Sequence, residues 1–437
     1  MAHVLIFCTS LETCTLHRVP QCLQTCAENK YMCPYWFFFQ LMLHFIYMIK
    51  RRIYLDYASL TPIDPRVIRE VTLYSSDKYA NPSSLYSEGV AAKKALQDAR
   101  NIVADFIHAH SDEITFTSGG TEANNIAIIG TIQALRAQGV PYEAMHVVIS
   151  AIEHSSVREC ANFLNEYDVS FDVVAVDAHG VVDLADLKNK IQKNTVIVSV
   201  MTVNNEIGSV QPIREIAKIV RNARKQYAEQ SPFNFQLCQY PIFHTDAAQA
   251  PLYEELNVEK LGVDLLTLDS SKIYGPRGIG ALYIKRNTPI ANVTHGGGQE
   301  AGMRPGTENI PAIMGFAKAL TIAAVERESE VVRIGKLREY FIKQIQTVRE
   351  GVKVNGAGMH IVNVSIPRID NEFFVIQLNV QGIACSTKSS CLRDEDESYV
   401  LKSIGADSLT SVRFSFGRWS KKGDIDATIK AIKKVLF

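Results

Sequence analysis

The sequence predicts an α/β fold: a large domain built on a mostly parallel sheet with helices on both faces, followed by a smaller α+β C-terminal domain. Three observations support it. From residue 66 onward short β-branched runs alternate with helical patterns. After Gly306 that pattern changes. Finally, 47% hydrophobic against 21% charged residues over 437 positions supplies a large core.

The strand candidates are Ile114–Thr117, 147–150, 173–176, 196–201, 242–245, 265–268 and Gly280–Ile284. Helical stretches such as 122–138 and 213–224 lie between them, as expected where crossover helices cover a parallel sheet. Residues 225–240 have neither clear periodicity nor many charges and read as a surface loop. Beyond Gly306, residues 311–348 read as a long helix, followed by strand-like pieces at 361–366 and 411–416. The expected organisation is therefore an N-terminal segment, 48–65, packing with the small domain, a large domain at 66–305, and a small C-terminal domain at 306–437. No internal repeat or low-complexity tract interrupts it.

Residues 1–47 stand apart as an atypical N-terminal extension. They lack alternation, helical periodicity and turn punctuation, and they hold five of the nine cysteines (Cys8, Cys14, Cys22, Cys26, Cys33). The apolar stretch 35–49 contains Gln40 and His44 and is shorter than the roughly 20 residues a spanning helix needs, so no membrane anchor is expected. The basic cluster Lys50, Arg51 and Arg52 follows the apolar run, the reverse of a secretory signal. The spacings of His17, Cys22, Cys26 and Cys33 match no standard zinc pattern, so no metal is expected. From Met48 the chain reads MIKRRIYLDYASLTP, which gives the expectation that translation starts there and that residues 1–47 are not native. An intact native peptide from before Met48 would refute it.

Lys plus Arg and Asp plus Glu number 46 each, so no bulk charge drives the chain toward nucleic acid or a membrane surface. Nine cysteines are too sparse for a disulfide framework, and the odd number leaves one thiol free. A reducing, cytoplasmic setting fits.

Several segments carry chemistry. TSGGTEANN at 117–125 sets Gly120 and Thr121 where a strand meets a helix, able to face an anion on the helix N-terminus; an ordinary capped glycine turn fits equally. SAIEHSSV at 150–157 puts His154 just past a buried strand, where ring stacking or proton transfer is open to it, although a lone histidine is more often structural. VNNEIG at 203–208, with Asn205, ends another strand in either a polar pocket or a capped turn. HTDAAQA at 244–250 leaves Asp246 at a strand end, where an unpaired carboxylate is costly and calls for a cation, either an arginine or a pyridinium nitrogen.

LDSSKIYGPRGIGALYI at 268–284 carries Lys272 in a small-residue turn. In a confined, partly dry pocket such an amine can form a Schiff base with a carbonyl cofactor. GIACSTKSSCLRDEDESY at 382–399 holds Cys391 in a polar context near Arg393, which could aid a thiolate, whereas Cys385 sits among apolar neighbours and reads as buried and inert. VRFSFGR at 412–418 offers Arg413 as a surface ion pair or as a bidentate carboxylate clamp.

In this order and spacing, together with YLDYASLTP, NPSS and GGGQEAGMRPGTEN, the segments resemble the cysteine desulfurase branch of the class V aminotransferases. These are fold type I pyridoxal-phosphate enzymes, and the likeness runs from about Tyr54 to the C-terminus. The resemblance implies pyridoxal 5′-phosphate as cofactor and L-cysteine as substrate. Lys272 would hold the cofactor, Asp246 would keep its ring nitrogen protonated so that the ring is an electron sink, and His154 would stack on it. Gly120 and Thr121 match phosphate contacts, Asn205 and Gln249 match contacts to the ring hydroxyl, Arg413 matches the substrate-carboxylate arginine, and Asn81 lies near that carboxylate.

Thr307 would reach the phosphate of a neighbouring subunit, which implies a homodimer. Cys391 would take the sulfur as a persulfide while alanine leaves. A sulfur-acceptor protein, in iron–sulfur cluster assembly or tRNA thiolation, would receive it. No direct contact with nucleic acid or membrane is implied.

The chain also departs from the pattern. The family usually places Ser or Thr, one residue, then His before the lysine, with the hydroxyl and imidazole on the phosphate; here Asp269 and Ser271 stand there, and both places bear on cofactor binding. An ionised carboxylate beside a phosphate is repelled, so either Asp269 turns away or other donors compensate. Tyr86 stands near where NPSS is commonly followed by His, and the acidic run RDEDES at 393–398 would favour basic sulfur acceptors. Competing readings are another class V activity, selenocysteine lyase or aminotransferase, with Cys391 incidental, and a non-catalytic relative serving as a binding partner or scaffold.

Overall fold

The computed structural model describes residues 52–227, 240–387 and 397–437. The chain from Ile53 to Phe437 forms one compact unit. From β1 (Ile53–Tyr54) it runs through α1 (Pro65–Ser76) and α2 (Ser87–Ile107) to β2 (Ile114–Thr117). There follow α3 (Gly120–Ala137), β3 (His146–Ser150), α4 (Ser155–Asn165), β4 (Ser170–Val174), α5 (Leu184–Lys190) and β5 (Thr195–Ser199). Next come α6 (Ile213–Tyr227), β6 (Ile242–Asp246), α7 (Val258–Leu261), β7 (Leu265–Asp269) and β8 (Gly280–Ile284).

Strands β2 to β8 make one seven-stranded sheet in the order β2-β8-β7-β6-β5-β3-β4. Only β8 runs against its neighbours, and β7, β6, β5, β3 and β4 are mutually parallel. The reason is visible residue by residue. All five residues of β3, of β5 and of β6 are buried, as expected of strands covered on both faces. Val147 and Ile149 enter one core layer with α3 and α4, while Val148 enters the opposite layer, the two-residue period of a strand.

All seven strand candidates and the helices between them are found. The candidate at 173–176 shifts back to Ser170–Val174, because Ser170 pairs with His146 and Val174 with Ser150. Val176 instead bridges Val182 in a separate antiparallel contact. Apolar content alone did not locate the pairing. The loop expected from residue 225 starts later, since α6 continues to Tyr227; residues 228–239 lie outside the described residues.

After residue 306 come α8 (Ile310–Ile345), β9 (Lys353–Asn355), β10 (Ile361–Ser365), α9 (Asn371–Val380), β11 (Ile383–Ala384), α10 (Tyr399–Ser403), β12 (Ser411–Ser415) and α11 (Lys422–Leu436). An antiparallel sheet of order β12-β10-β9 forms here. The first described strand returns to this part of the chain: β1 pairs in parallel with β11, and Asp56 bridges Ser415. Asn309 caps α8 by accepting from Ala312 N. The buried residues of α8 cluster in its first half, including Phe316 and Leu320.

Candidate active site

Five strands that share a direction end on one edge of the large sheet, and each delivers a predicted residue there. Gly120 follows β2, His154 follows β3, Asn205 follows β5, Asp246 ends β6 and Lys272 follows β7. That edge is where open parallel sheets bind ligands.

Asp246 is buried and its carboxylate is held by neutral donors. Oδ2 accepts from Asn124 Nδ2 at 2.7 Å and Oδ1 from Ala248 N at 2.9 Å. Among the described residues no arginine or lysine pairs with it, so the arginine alternative drops out. Asn124 Nδ2 also donates to Ser156 Oγ at 2.8 Å, and that hydroxyl lies 2.8 Å from His154 Nδ1. Asp246, Asn124, Ser156 and His154 thus form one chain of polar contacts, and His154 caps α4 by accepting from Ser156 N.

Neither Asn124 nor Ser156 was singled out from sequence, although a signal existed. Asn124 falls on the buried stripe of α3 with Ala123, Ala127 and Ile128, where a polar side chain demands a buried partner. Beside His154, Glu153 is fully buried; burial, reinforced by the charge on Asp246, pushes its carboxyl up to about 8.

Lys272 ends a 3₁₀ turn after β7, and its Nζ donates to Ser59 O at 2.5 Å. Gln249 is clamped nearby: Nε2 donates to Ala58 O at 2.8 Å, and Oε1 lies 3.4 Å from His360 Nε2. His360 stacks on Tyr253 at 4.1 Å, and burial, with the Arg413 charge adding, pushes its imidazole down to about 3. It is therefore neutral.

At the start of α3 the arrangement differs from that of a phosphate cradle. Gly119, at φ 150°, occupies backbone space open to glycine, and a Cβ on Gly280 of the adjacent strand would come within 2.8 Å of Gly119 Cα. The first helical N–H, that of Gly120, donates to Asp269 Oδ2 at 3.0 Å. Asp269 Oδ1 accepts from Ser271 N at 2.7 Å and from Ser271 Oγ at 2.5 Å. Asp269 has therefore turned toward the helix terminus, not away from it. Thr121 is exposed.

Arg413 is 1% exposed, so the surface ion pair expected as one alternative is excluded. Nη2 donates to Asp56 Oδ1 at 2.8 Å and to Ser59 Oγ at 2.6 Å, while Nη1 donates to Asn205 O at 2.7 Å. Its Nε is buried and has no hydrogen-bond partner among the described residues. Ser59 therefore links Lys272 and Arg413, the first through its carbonyl and the second through its hydroxyl.

Two further candidates are exposed. Asn81 is exposed and accepts from Ser83 N at 2.9 Å, shaping its own turn. Thr307 is exposed beside Glu122, His295, Gln299 and Arg304, which line one concavity with it. Cys391 lies outside the described residues, as does the acidic run except Glu397 and Ser398. The flanks of that segment are placed: Ser386 exchanges backbone hydrogen bonds with Arg413, and Ser398 Oγ donates to Glu206 Oε2 at 2.6 Å. Cys385, expected to be buried, is half-buried at the margin of the core. His17, Cys22, Cys26 and Cys33 also lie outside the described residues, and among those described no cluster suited to a metal ion occurs. No described helix is long and apolar enough to cross a membrane.

A pyridine ring fits the Asp246 end of this site, where a buried carboxylate holds neutral donors and no cation. A phosphate fits the other end less well, because a carboxylate already takes the first N–H of α3.

The family model for aminotransferase class-V matches residues 53–428. The chain is 37% identical over 397 residues to "Cysteine desulfurase IscS" of Dictyoglomus turgidum, covering 89% of this chain and 95% of that protein. Among solved structures, one titled "NIFS-LIKE PROTEIN" superposes with a TM-score of 0.79 at 29% identity, covering 88% of this chain and 99% of the other. Another, titled "SspA in complex with cysteine", gives 0.69 at 30% identity, covering 83% and 98%.

Proposed function

We infer that this chain, which belongs to the class-V aminotransferase family, is a pyridoxal-phosphate-dependent cysteine desulfurase acting on L-cysteine. The observation that carries this reading is Asp246, a buried strand-end carboxylate with neutral donors and no cationic side chain, on the strand next to the one that leads to Lys272. When bound, the cofactor supplies a protonated ring that spreads the electron pair left at the substrate α-carbon.

The chain's own residues do the rest. Asp246 holds the ring proton, and Asn124 fixes the carboxylate's orientation while tying it to the Ser156–His154 pair. His154 would cover the ring, Gln249 and Asn205 would face its hydroxyl, and Lys272 Nζ would be the amine that anchors it. Gly120, Thr121 and Ser271 would serve the phosphate once Asp269 gives up the donors it holds. Arg413, held by Asp56 and Ser59, is the guanidinium for the substrate carboxylate, with Asn81 as its second polar group. The Cys391 thiolate attacks the substrate sulfur, the carbon–sulfur bond breaks with its electron pair going to carbon, and alanine leaves after protonation. A persulfide remains on Cys391.

Two copies form the working enzyme, Thr307 of each serving the other's site, in the reducing cytoplasm. The persulfide sulfur passes to an acceptor protein, for iron–sulfur cluster assembly or tRNA thiolation. The lobes divide at residue 306, just before α8.

The test is direct. Purified protein given L-cysteine should release alanine and sulfide, and should show a visible absorbance that borohydride or Lys272→Ala abolishes. Cys391→Ser should keep that absorbance and lose sulfide release; full activity in this variant would refute the persulfide route.

A further inference from the structure

Asp269 takes no part in the steps above, yet it holds the start of α3 to the turn that carries Lys272. Its Oδ2 takes the N–H of Gly120 at 3.0 Å, and its Oδ1 takes both the N–H and the hydroxyl of Ser271 at 2.7 and 2.5 Å. Every N–H or O–H in this set is one that a bound phosphate could also use. The fit is close: a Cβ built on Gly119 or Gly120 would lie 3.4 or 3.3 Å from Oδ2. Among the described residues no arginine or lysine pairs with Asp269. Arg304, a cation near this helix start, is taken by Glu122 at 3.1 Å, and Glu122 in turn accepts from Ser118 N.

A helix N-terminus and its first N–H groups attract an anion. Here the chain provides its own. We propose that Asp269 is a resident anion in the phosphate position, which stabilises the cofactor-free protein and sets the affinity for the 5′-phosphate group without affecting the ring. Phosphate and carboxylate compete for the same donors and repel each other at this range. Uptake of the phosphorylated cofactor therefore requires Asp269 to release Gly120, a cost that a neutral residue would not impose.

The inference rests on reading Lys272 as the cofactor lysine, and its test separates the two. Full-length protein freed of cofactor is titrated with pyridoxal 5′-phosphate and, separately, with pyridoxal, which lacks the phosphate. The readouts are the lysine-linked absorbance and intrinsic fluorescence. In Asp269→Ser and Asp269→Asn, affinity for the phosphorylated aldehyde should rise at least about tenfold, some 1.4 kcal/mol, while affinity for pyridoxal stays within about twofold. Equal changes for both aldehydes, or none, would overturn the proposal.

Thermal melting of the cofactor-free protein gives a second arm that needs no aldehyde. Inorganic phosphate should raise the melting temperature of the variants and leave the original unchanged, and without phosphate Asp269→Ser should melt lower than the original. Asp269→Asn keeps an acceptor for Gly120 and Ser271, so it serves if the serine variant does not fold. If neither aldehyde binds any form of the protein, it is the Lys272 reading that fails, and the phosphate melting arm still decides the role of Asp269: equal protection of all three proteins would overturn it.

Discussion

The two ends of the site answer the same physical demand in opposite ways. At the Asp246 end a buried carboxylate is held by neutral donors from Asn124 and Ala248 and has no counter-charge among the described residues. At the Gly120 end the helix terminus wants an anion, and Asp269 already supplies one. One end is charge-deficient and open to a cationic ring; the other is charge-satisfied and resists a second anion. Family likeness therefore transfers unevenly across a single pocket.

Breaking the Asp246 end should have the largest effect. Lys272→Ala removes the anchoring amine and should lower cysteine turnover by about 10³-fold or more, with the visible absorbance lost. Asp246→Asn keeps the shape and removes the charge; kcat should fall by about 10²-fold while the absorbance shifts rather than vanishes. Unchanged turnover there would remove the basis for the contrast.

Asn124→Ala sharpens the comparison by leaving the charge and deleting its holder. The lost donor to both Asp246 and Ser156 should cost about 1–3 kcal/mol in thermal unfolding, with a smaller drop in kcat than Asp246→Asn. A smaller, pH-dependent effect belongs to Glu153. Its folded carboxyl is raised to about 8, so between the ordinary carboxyl range and pH 8 the unfolded chain releases a proton that the folded chain keeps. Stability should therefore fall as pH rises through that window. Glu153→Gln should flatten the profile, so that its stability relative to the original protein rises by at least about 1–2 kcal/mol from pH 5 to pH 8; parallel profiles for the two proteins would count against the assignment.

Much of the frame was legible because parallel strands buried on both faces are rich in apolar residues, as the centres of β3 and β5 are; β6, which ends in His244, Thr245 and Asp246, was legible only from its first two residues. The shift of β4 was not legible, because that edge strand has one buried residue in five and its limits follow from pairing with β3. Lys272, Asp246 and His154 could be placed at strand ends from local pattern. The link between them could not, since Asn124 and Asp246 are 122 positions apart and only the fold joins them. Asp269 was visible as an anomaly in one short segment. Its partner, Gly120, lies 149 positions away, and nothing near either residue discloses the pairing. The burial of Arg413 was hidden likewise, because its acceptor Asp56 comes from the other end of the chain.

That last contact bears on the order of events during synthesis. Arg413 reaches Asp56 across 357 positions, and β1 finds its strand partner only in β11. A ribosome delivers the large sheet long before either partner, and such a sheet can form as it emerges. Lys272 then exists without its properly held neighbour, because the Ser59 that meets its amine is itself fixed by Arg413. The amine acquires its final surroundings only when the last twentieth or so of the chain has left the tunnel. A chain truncated before β12 would therefore lack the guanidinium that fixes Ser59 beside the Lys272 amine.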